Sequence, residues 1–270
     1  MEIESIKMNW KSKRKDKEAT ISLWNSVAED YDQSDLPKKE ENFALRIIDE
    51  IKMISTDSTV LDVGCGAGRY TMYFANKAMA ATGTDISANM INYARKRAKK
   101  HNMKNIGFHI GDWHSMDLDE LNWKNSFDLV FSHMTPAIQS LETFEKFIDA
   151  SRGWCVMCKP TRRNDSISDK LREICEINNN STNFDRELLF AFDYLWIKGY
   201  LPKIEYDKQV WNIEKPIEEA KKHYVNFIKA SNIINEKHEK AIREYLESIS
   251  INGIVKEKIQ TTVSMLYWHV

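Results

Sequence analysis

The chemistry-bearing part of this 270-residue chain is a run of glycines framed by acids: Val60-Leu61-Asp62-Val63-Gly64-Cys65-Gly66-Ala67-Gly68-Arg69-Tyr70. An apolar run ends on a carboxylate and then turns through three glycines directly into a helical pattern. Glycine suits such a turn because the backbone must bend sharply and let a ligand approach with no Cβ in the way. The helix that follows points its first N–H groups at that ligand, an arrangement that favours a carboxylate. Asp62 adds a negative charge where a ligand ammonium could sit. A zwitterionic amino-acid end matches this pairing of charges.

A dinucleotide site is the competing reading of a glycine turn. Its fingerprint is G-x-G-x-x-G, with the third glycine at the position that Arg69 holds here, and it gives no role to an acid before the first glycine. Two more acids bear on the choice. Asp85 closes a second apolar run in Thr82-Gly83-Thr84-Asp85-Ile86-Ser87, where a carboxylate can accept from both hydroxyls of a ribose. Ile86 would then face one side of an adenine ring. Asp112, in Ile110-Gly111-Asp112-Trp113, closes a third run, where it can accept from the adenine amino group. Any one of these acids reads equally well as a solvated strand end. Together with the glycine turn they favour S-adenosylmethionine over a nicotinamide.

The elements that must hold these residues follow from hydrophobic periodicity. Strands are expected at Thr59–Val63, Ala80–Asp85, Ile106–Gly111, Phe127–Ser132 and Trp154–Cys158. Helices are expected between them near Glu41–Ile54, Arg69–Lys77, Ala88–Lys100 and Thr143–Ala150, with Ser87 capping the third. Such alternation implies a parallel sheet with helices on both faces. After Lys159 the rhythm changes. A helix with a wide apolar face spans Asp185–Lys198, a strand Ile204–Val210, a helix opens at Pro216, and Glu236–Ser248 precedes a closing strand, Ile259–Trp268. The expected organisation is a basic, solvated arm at 1–20 and one domain at 21–270, with cap elements near 20–40, 161–202 and 212–250.

Bulk properties exclude several classes. With 39 basic against 40 acidic residues the chain has no net field to draw in nucleic acid or an anionic membrane, so neither is an expected partner. The arm is the one biased stretch, with Lys11, Lys13, Arg14, Lys15 and Lys17 in close succession. The N-terminus shows no apolar core of a secretory signal. The four cysteines are therefore expected as reduced thiols in a cytoplasmic protein. Cys155-x-x-Cys158 lies on an expected strand, where residues three apart face opposite ways, so it does not read as a metal clasp.

From these motifs the sequence resembles the class I S-adenosylmethionine-dependent methyltransferases, in particular the small-molecule type 11 branch. Asp62, Gly64, Gly66 and Gly68 match the family's first motif, Asp85 its second and Asp112-Trp113 its third. Phe127-Asp128-Leu129-Val130 is similar to the fourth strand, whose end lines the methyl-transfer pocket in that family. Trp24-Asn25-Ser26-Val27-Ala28-Glu29-Asp30-Tyr31-Asp32 is similar to the segment that covers the cofactor. The match covers residues 20–160 well, and departs where Ser151-Arg152-Gly153 replaces the usual Pro-Gly-Gly. The resemblance implies a three-layer Rossmann-like α/β fold whose seven-stranded, mostly parallel sheet ends in an antiparallel strand. It also implies cofactor contacts at Tyr31, Asp62, Gly64, Cys65, Gly66, Gly68, Asp85, Ile86, Asp112, Trp113 and Ser132, with no metal. The product would be S-adenosylhomocysteine and the acceptor a small molecule. The Asn/Asp-Pro-Pro-Tyr/Phe run of adenine and glutamine methyltransferases is missing from Ser132-His133-Met134-Thr135-Pro136. His133 is the candidate general base, although a strand-end histidine needs no catalytic role. Trp113, Trp196, Trp211, Tyr194, Tyr200 and Tyr206 could line an acceptor pocket, while the stripe in Asp185–Lys198 also reads as cap core. Two other functions remain open: a catalytically idle adenosylmethionine-binding sensor or scaffold, and a nicotinamide oxidoreductase, which Arg69 disfavours.

Overall fold

The structure, a computed structural model, describes residues 2–12, 14–32, 35–177 and 184–270. Helices α1 (Ile3–Asn9), α2 (Lys17–Ser26), α3 (Ala28–Asp32) and α4 (Phe43–Glu50) precede the first strand. The alternating core is β1 (Thr59–Val63), α5 (Arg69–Ala75), β2 (Ala80–Asp85), α6 (Ala88–Lys100), β3 (Ile106–Ile110), β4 (Phe127–His133), α7 (Leu141–Asp149) and β5 (Ser151–Asp165). Then come α8 (Ser168–Ile174), α9 (Phe184–Ile197), β6 (Lys203–Pro216), α10 (Ile217–Ser231), α11 (Glu236–Ile249) and β7 (Ile254–His269).

The seven strands among the described residues form one sheet in the order β3-β2-β1-β4-β5-β7-β6. Neighbours from β3 to β5 pair in parallel, and β7 runs antiparallel to both β5 and β6. This is the Rossmann-like architecture expected from the sequence. Apart from polar residues such as Asp62 and His133 toward their ends, the inner strands are mostly apolar because both faces are covered. Cys155 and Cys158 show it directly: the first is buried in the cluster with Phe144, Phe147 and Trp268, the second in the cluster with Phe74, Phe131 and Met265. Ser87 caps α6 as expected, accepting from the Met90 N–H at 3.1 Å. The departing Ser151-Arg152-Gly153 segment starts β5, and Arg152 forks onto Asp128 at 2.8 and 3.0 Å.

Three strands run longer than their sequence patterns suggested. β5, β6 and β7 continue past the apolar stretches into alternating polar sequence, where the far parts of the ribbon are half solvated. Their extension carries α8, α10 and α11 around a separate small core that includes Leu171, Tyr224, Ile228, Ile242 and Leu246. This small layer stands over the carboxyl ends of the inner strands, and α10 packs along α2.

Two expectations about organisation need correction. Residues 1–20 are not set apart as a solvated arm: α1 lies against the sheet's helical layer, with Ile6 fully buried and Trp10 only 2% exposed. Ile6 and Trp10 were hidden by the lysines around them; Trp10 stacks 5.1 Å from Phe144 and 6.1 Å from Phe190. Lys13 and residues 178–183, parts of the expected arm and cap, lie outside the described residues. The helix read as cap core, α9, instead buries Leu188, Phe190, Ala191, Tyr194 and Leu195 against the sheet layer beside α1. Of the stripe Leu188, Leu189, Phe192, Leu195 and Trp196 read from the sequence, Leu188 and Leu195 are buried but Leu189 is 59% exposed, so both the face and its partner were misassigned. Trp196 points away and is 60% exposed.

Trp10 gives a direct test of the N-terminal packing. Trp10→Ala should lower unfolding stability by about 3–5 kcal/mol, the usual cost of truncating a buried Trp. Urea denaturation measures it, and a loss below about 1 kcal/mol would return this segment to a surface arm.

Candidate functional site

The sheet's crossovers reverse direction between β1 and β4, and ligands of open α/β sheets bind in the crevice that this reversal leaves. A cavity of about 560 Å³ lies there, reaching from the glycine turn to the small helical layer. Its size falls within the range of small-molecule sites.

The turn after β1 is pinned on two sides. The Gly64 and Cys65 N–H groups both donate to the Thr84 carbonyl, at 2.8 and 3.0 Å, and the Gly66 N–H donates to Asp85 Oδ2 at 3.0 Å. Gly64 has φ +72°, and a Cβ there would stand 2.0 Å from Thr135 Oγ1. Gly68 has φ +76° and would drive a Cβ into Phe108 and Ala94. The two positions serve different ends. Gly64 keeps the cavity floor bare, whereas Gly68 lets α5 sit tightly on α6 and β3 and does not line the cavity.

Each strand-end acid has its own environment. Asp62 is 2% exposed, accepts from Thr71 Oγ1 at 2.7 Å, and is pushed up to about 7, chiefly by burial and further by the nearby Asp85 charge. Asp85 is also raised by burial, against the pull of the Ser87 and Gly66 N–H groups that it accepts. Asp112 differs. Burial raises it, but the hydrogen bond and charge of Arg14 outweigh burial and hold it below the usual carboxylate range. Arg14 Nη1 lies 2.9 Å and the His114 N–H 3.2 Å from Oδ1, and Lys17 stands 3.6 Å from Oδ2. An acid read as a ligand contact is thus already held by the segment read as an arm.

Of the sequence-derived candidates, Tyr31, Asp62, Gly64, Cys65, Gly66, Asp85, Ile86, Asp112, Trp113 and His133 all line the one cavity. Ser132 does not. It is buried behind the wall, and its Oγ has no hydrogen-bond partner among the described residues. Trp113 is mainly structural, 3% exposed with its indole N–H donating to the Thr143 carbonyl at 3.0 Å. Trp24 and Tyr31 meet edge to face at the cavity mouth.

His133 does not fit the role of a base. The Tyr70 hydroxyl accepts from Asn42 Nδ2 at 2.8 Å and lies 3.1 Å from His133 Nε2. The direction of that contact follows the imidazole tautomer, since the hydroxyl can accept a second bond as well as donate one. Burial, aided by the Arg69 charge, lowers His133 to about 3. Such a ring is neutral near pH 7 and a weak base.

Sequence reasoning missed the far end of the cavity. Arg163 and Asp165 extend from the end of β5, Asp169 and Arg172 from α8, and Trp211 and Phe227 close the wall. Trp211 was anticipated as an acceptor-side aromatic; Trp196, Tyr194, Tyr200 and Tyr206 do not line the cavity. Tyr194 instead donates to Glu145 at 2.7 Å. Lys159, 1% exposed, donates to the Ile138 carbonyl at 2.6 Å and Glu187 at 3.1 Å, fixing the loop after β4. Behind the wall Glu257 is buried against Asp165 and accepts from the Tyr224 hydroxyl at 2.5 Å. Burial and then Asp165 raise Glu257 above the carboxylate range, whereas Asp165, although also buried, is lowered by its hydrogen bonds and the Arg163 charge. The charged run Lys159-Pro160-Thr161-Arg162-Arg163-Asn164-Asp165, straight after an apolar strand, was the sequence signal for this wall.

Comparison with known proteins agrees with this geometry. A family model described as a methyltransferase domain matches residues 54–221. A 23S rRNA uracil-C5-methyltransferase of Alcanivorax borkumensis is 28% identical over 130 residues, 47% of this chain and 28% of that protein. A demethylmenaquinone methyltransferase of Tropheryma whipplei is 27% identical over 187 residues, 67% of this chain and 66% of that protein. The chain thus spans between about a fifth and two thirds of the length of the curated relatives it matches. Among solved structures, the MccD protein superposes with TM-score 0.52 at 14% identity, covering 87% of this chain and 99% of that one. A Bacillus halodurans protein does so with TM-score 0.51 at 12% identity, covering 84% and 99%. Both support the fold alone.

The raised Glu257 has a measurable consequence. Native Glu257 keeps a proton that the unfolded chain releases above its ordinary pKa of about 4.3. Its contribution to stability is full below that pH and is lost as pH rises toward the native value. Glu257→Gln keeps a neutral, hydrogen-bonding side chain of the same shape. Urea midpoints should favour the variant over the parent increasingly from about pH 5 to about pH 8. A pH-independent difference would mean that Glu257 is ionised throughout.

Proposed function

The chain belongs to the methyltransferase-domain family, and from that premise we propose that it transfers a methyl group from S-adenosylmethionine to a small-molecule acceptor enclosed in the cavity. The observation that carries the cofactor reading is the pinned glycine turn. Gly64 and Gly66 leave a bare floor, with Asp62 on one side, Asp85 on the next strand and Asp112 beyond it. Their chemistry fits the cofactor part by part. Asp62 would face the amino-acid ammonium, Asp85 the ribose hydroxyls, and Ile86 and Met90 the adenine rim. Asp112 would accept from the adenine amino group through Oδ2, since Oδ1 already accepts from Arg14 and His114.

When bound, the cofactor supplies an activated methyl group together with its own leaving group. The chain's task is to position the acceptor in line with that methyl and to keep water out. Thr135 and Pro136, fixed by Lys159 through the neighbouring carbonyls, form the rigid side of the transfer region. His133, kept neutral by burial and the Arg69 charge, offers a hydrogen-bonding wall beside Tyr70. Leu23, Trp24 and Tyr31 cover the mouth, in keeping with a lid that orders when cofactor binds. An enclosed space between α2 and α10 supports a metabolite acceptor over a folded RNA, even though rRNA methyltransferases are among the relatives.

Calorimetry with S-adenosylhomocysteine tests this reading. A dissociation constant in the micromolar range, about −8 kcal/mol, is expected. Asp85→Ala should cost about 1–3 kcal/mol of that affinity by leaving the ribose hydroxyls unpaired. Asp62, raised to about 7, must ionise to hold an ammonium, so affinity should rise between pH 6 and pH 8 and flatten in Asp62→Asn. Folded protein that binds neither the cofactor nor its demethylated product would overturn the proposal.

A further inference from the structure

The far wall of the cavity has a surplus of hydrogen-bond donors. Arg163 lies 5.6 Å over the Trp211 ring, and Arg172 lies 5.6 Å over the Phe227 ring. Stacking of this kind fixes the guanidinium plane and leaves its edges for ligands. Among the described residues each arginine makes a single side-chain hydrogen bond, Arg163 to Asp165 and Arg172 to Asp169, both at 3.0 Å. A guanidinium has five donors, so most of this capacity is unspent. The two carboxylates are better occupied. Asp165 also accepts the Ser168 N–H at 3.0 Å, and Asp169 accepts the Asp165 N–H at 2.9 Å. The arginine side chains are 28% and 16% exposed, and both line the cavity.

On the reading of this site as a methyltransferase, we infer that the acceptor carries an oxyanion, a carboxylate or a phosphate, held by Arg163 and Arg172. A planar donor edge matches two oxygens at once, which an amine or a lone hydroxyl cannot offer. An ammonium at this wall would face donors on two sides. A neutral acceptor would leave secluded guanidinium donors without partners, at a desolvation cost. With its anion at the small helical layer, the rest of the acceptor faces the glycine turn across the same cavity.

The test is calorimetry on protein saturated with S-adenosylhomocysteine, at fixed ionic strength. The probes are benzoate and phenyl phosphate, with benzylamine and benzyl alcohol as ring-matched controls. At least one anion should bind while both controls fail. Arg163→Gln and Arg172→Gln should each weaken that anion tenfold or more, with S-adenosylhomocysteine affinity within twofold of the parent, which also certifies their folding. Binding of benzoate alone identifies a carboxylate, and of phenyl phosphate alone a phosphate. Rejection of both anions, equal binding of benzylamine, or anion binding that survives both substitutions overturns the inference alone. A parent that binds no S-adenosylhomocysteine overturns the methyltransferase reading and this inference with it.

Discussion

Everything at the site depends on the space that Gly64 does not fill. Thr135 occupies the position a Cβ would need, so the turn after β1 and the loop after β4 are in direct contact across the crevice. The same turn is tied to β2 by two N–H groups converging on the Thr84 carbonyl and by a third on Asp85. Three strands are therefore tied together at their carboxyl ends by backbone groups and the Asp85 and Thr135 side chains. A larger residue at Gly64 would have to displace Thr135 from a position with φ +72° that disfavours it in any case.

The inner half of the fold was legible because its signals are local. Asp85 and Gly64 stand at the ends of short apolar runs, where a change of period marks both the strand end and the site. The ribbon of β5, β6 and β7 was harder to read in full. Its outer residues alternate polar and apolar, and which side is covered depends on α8, α10 and α11, all distant in sequence. Ile6 and Trp10 are the sharpest case. Ile3, Ile6 and Trp10 stand at helical spacing, but over barely two turns among charged residues that signal is too short to name a buried face, and only the partners Phe144 and Phe190 explain it. For α9 an apolar stripe was evident, but the stripe alone settled neither its edge, where Leu189 proved exposed, nor which apolar surface the helix meets.

Electrostatics divides the cavity into two regions. Around the turn, burial raises Asp62 and Asp85, so these acids sit above their ordinary range until a partner arrives. At the far wall, each arginine is paired with one carboxylate, which balances its charge but leaves most of its donors unspent. The first region gains from a cation and the second can accept an anion. His133, neutral and hydrogen-bonded between them, separates the two without adding charge.

The continuity of the long strands has a mechanical consequence. β5 and β7 pair from the centre of the sheet to Asp165 and Ile259, and β6 and β7 pair onward to Pro216 and Ile254. A hinge needs a stretch of chain whose dihedral angles can change without breaking a ladder of hydrogen bonds. The roof built on this ribbon meets one such interruption, the β5 bulge between Thr161 and Asn164, where Arg162 takes φ +47°. On either side of it the ladder resumes, so the roof is tied to the sheet by backbone hydrogen bonds. The opposite side of the chamber is attached differently: α2 and α3 belong to no sheet and are held by side-chain packing and a few polar bonds such as Arg14 to Asp112 and Ser87 to Asn25. One wall is fastened through backbone ladders, the other through side chains.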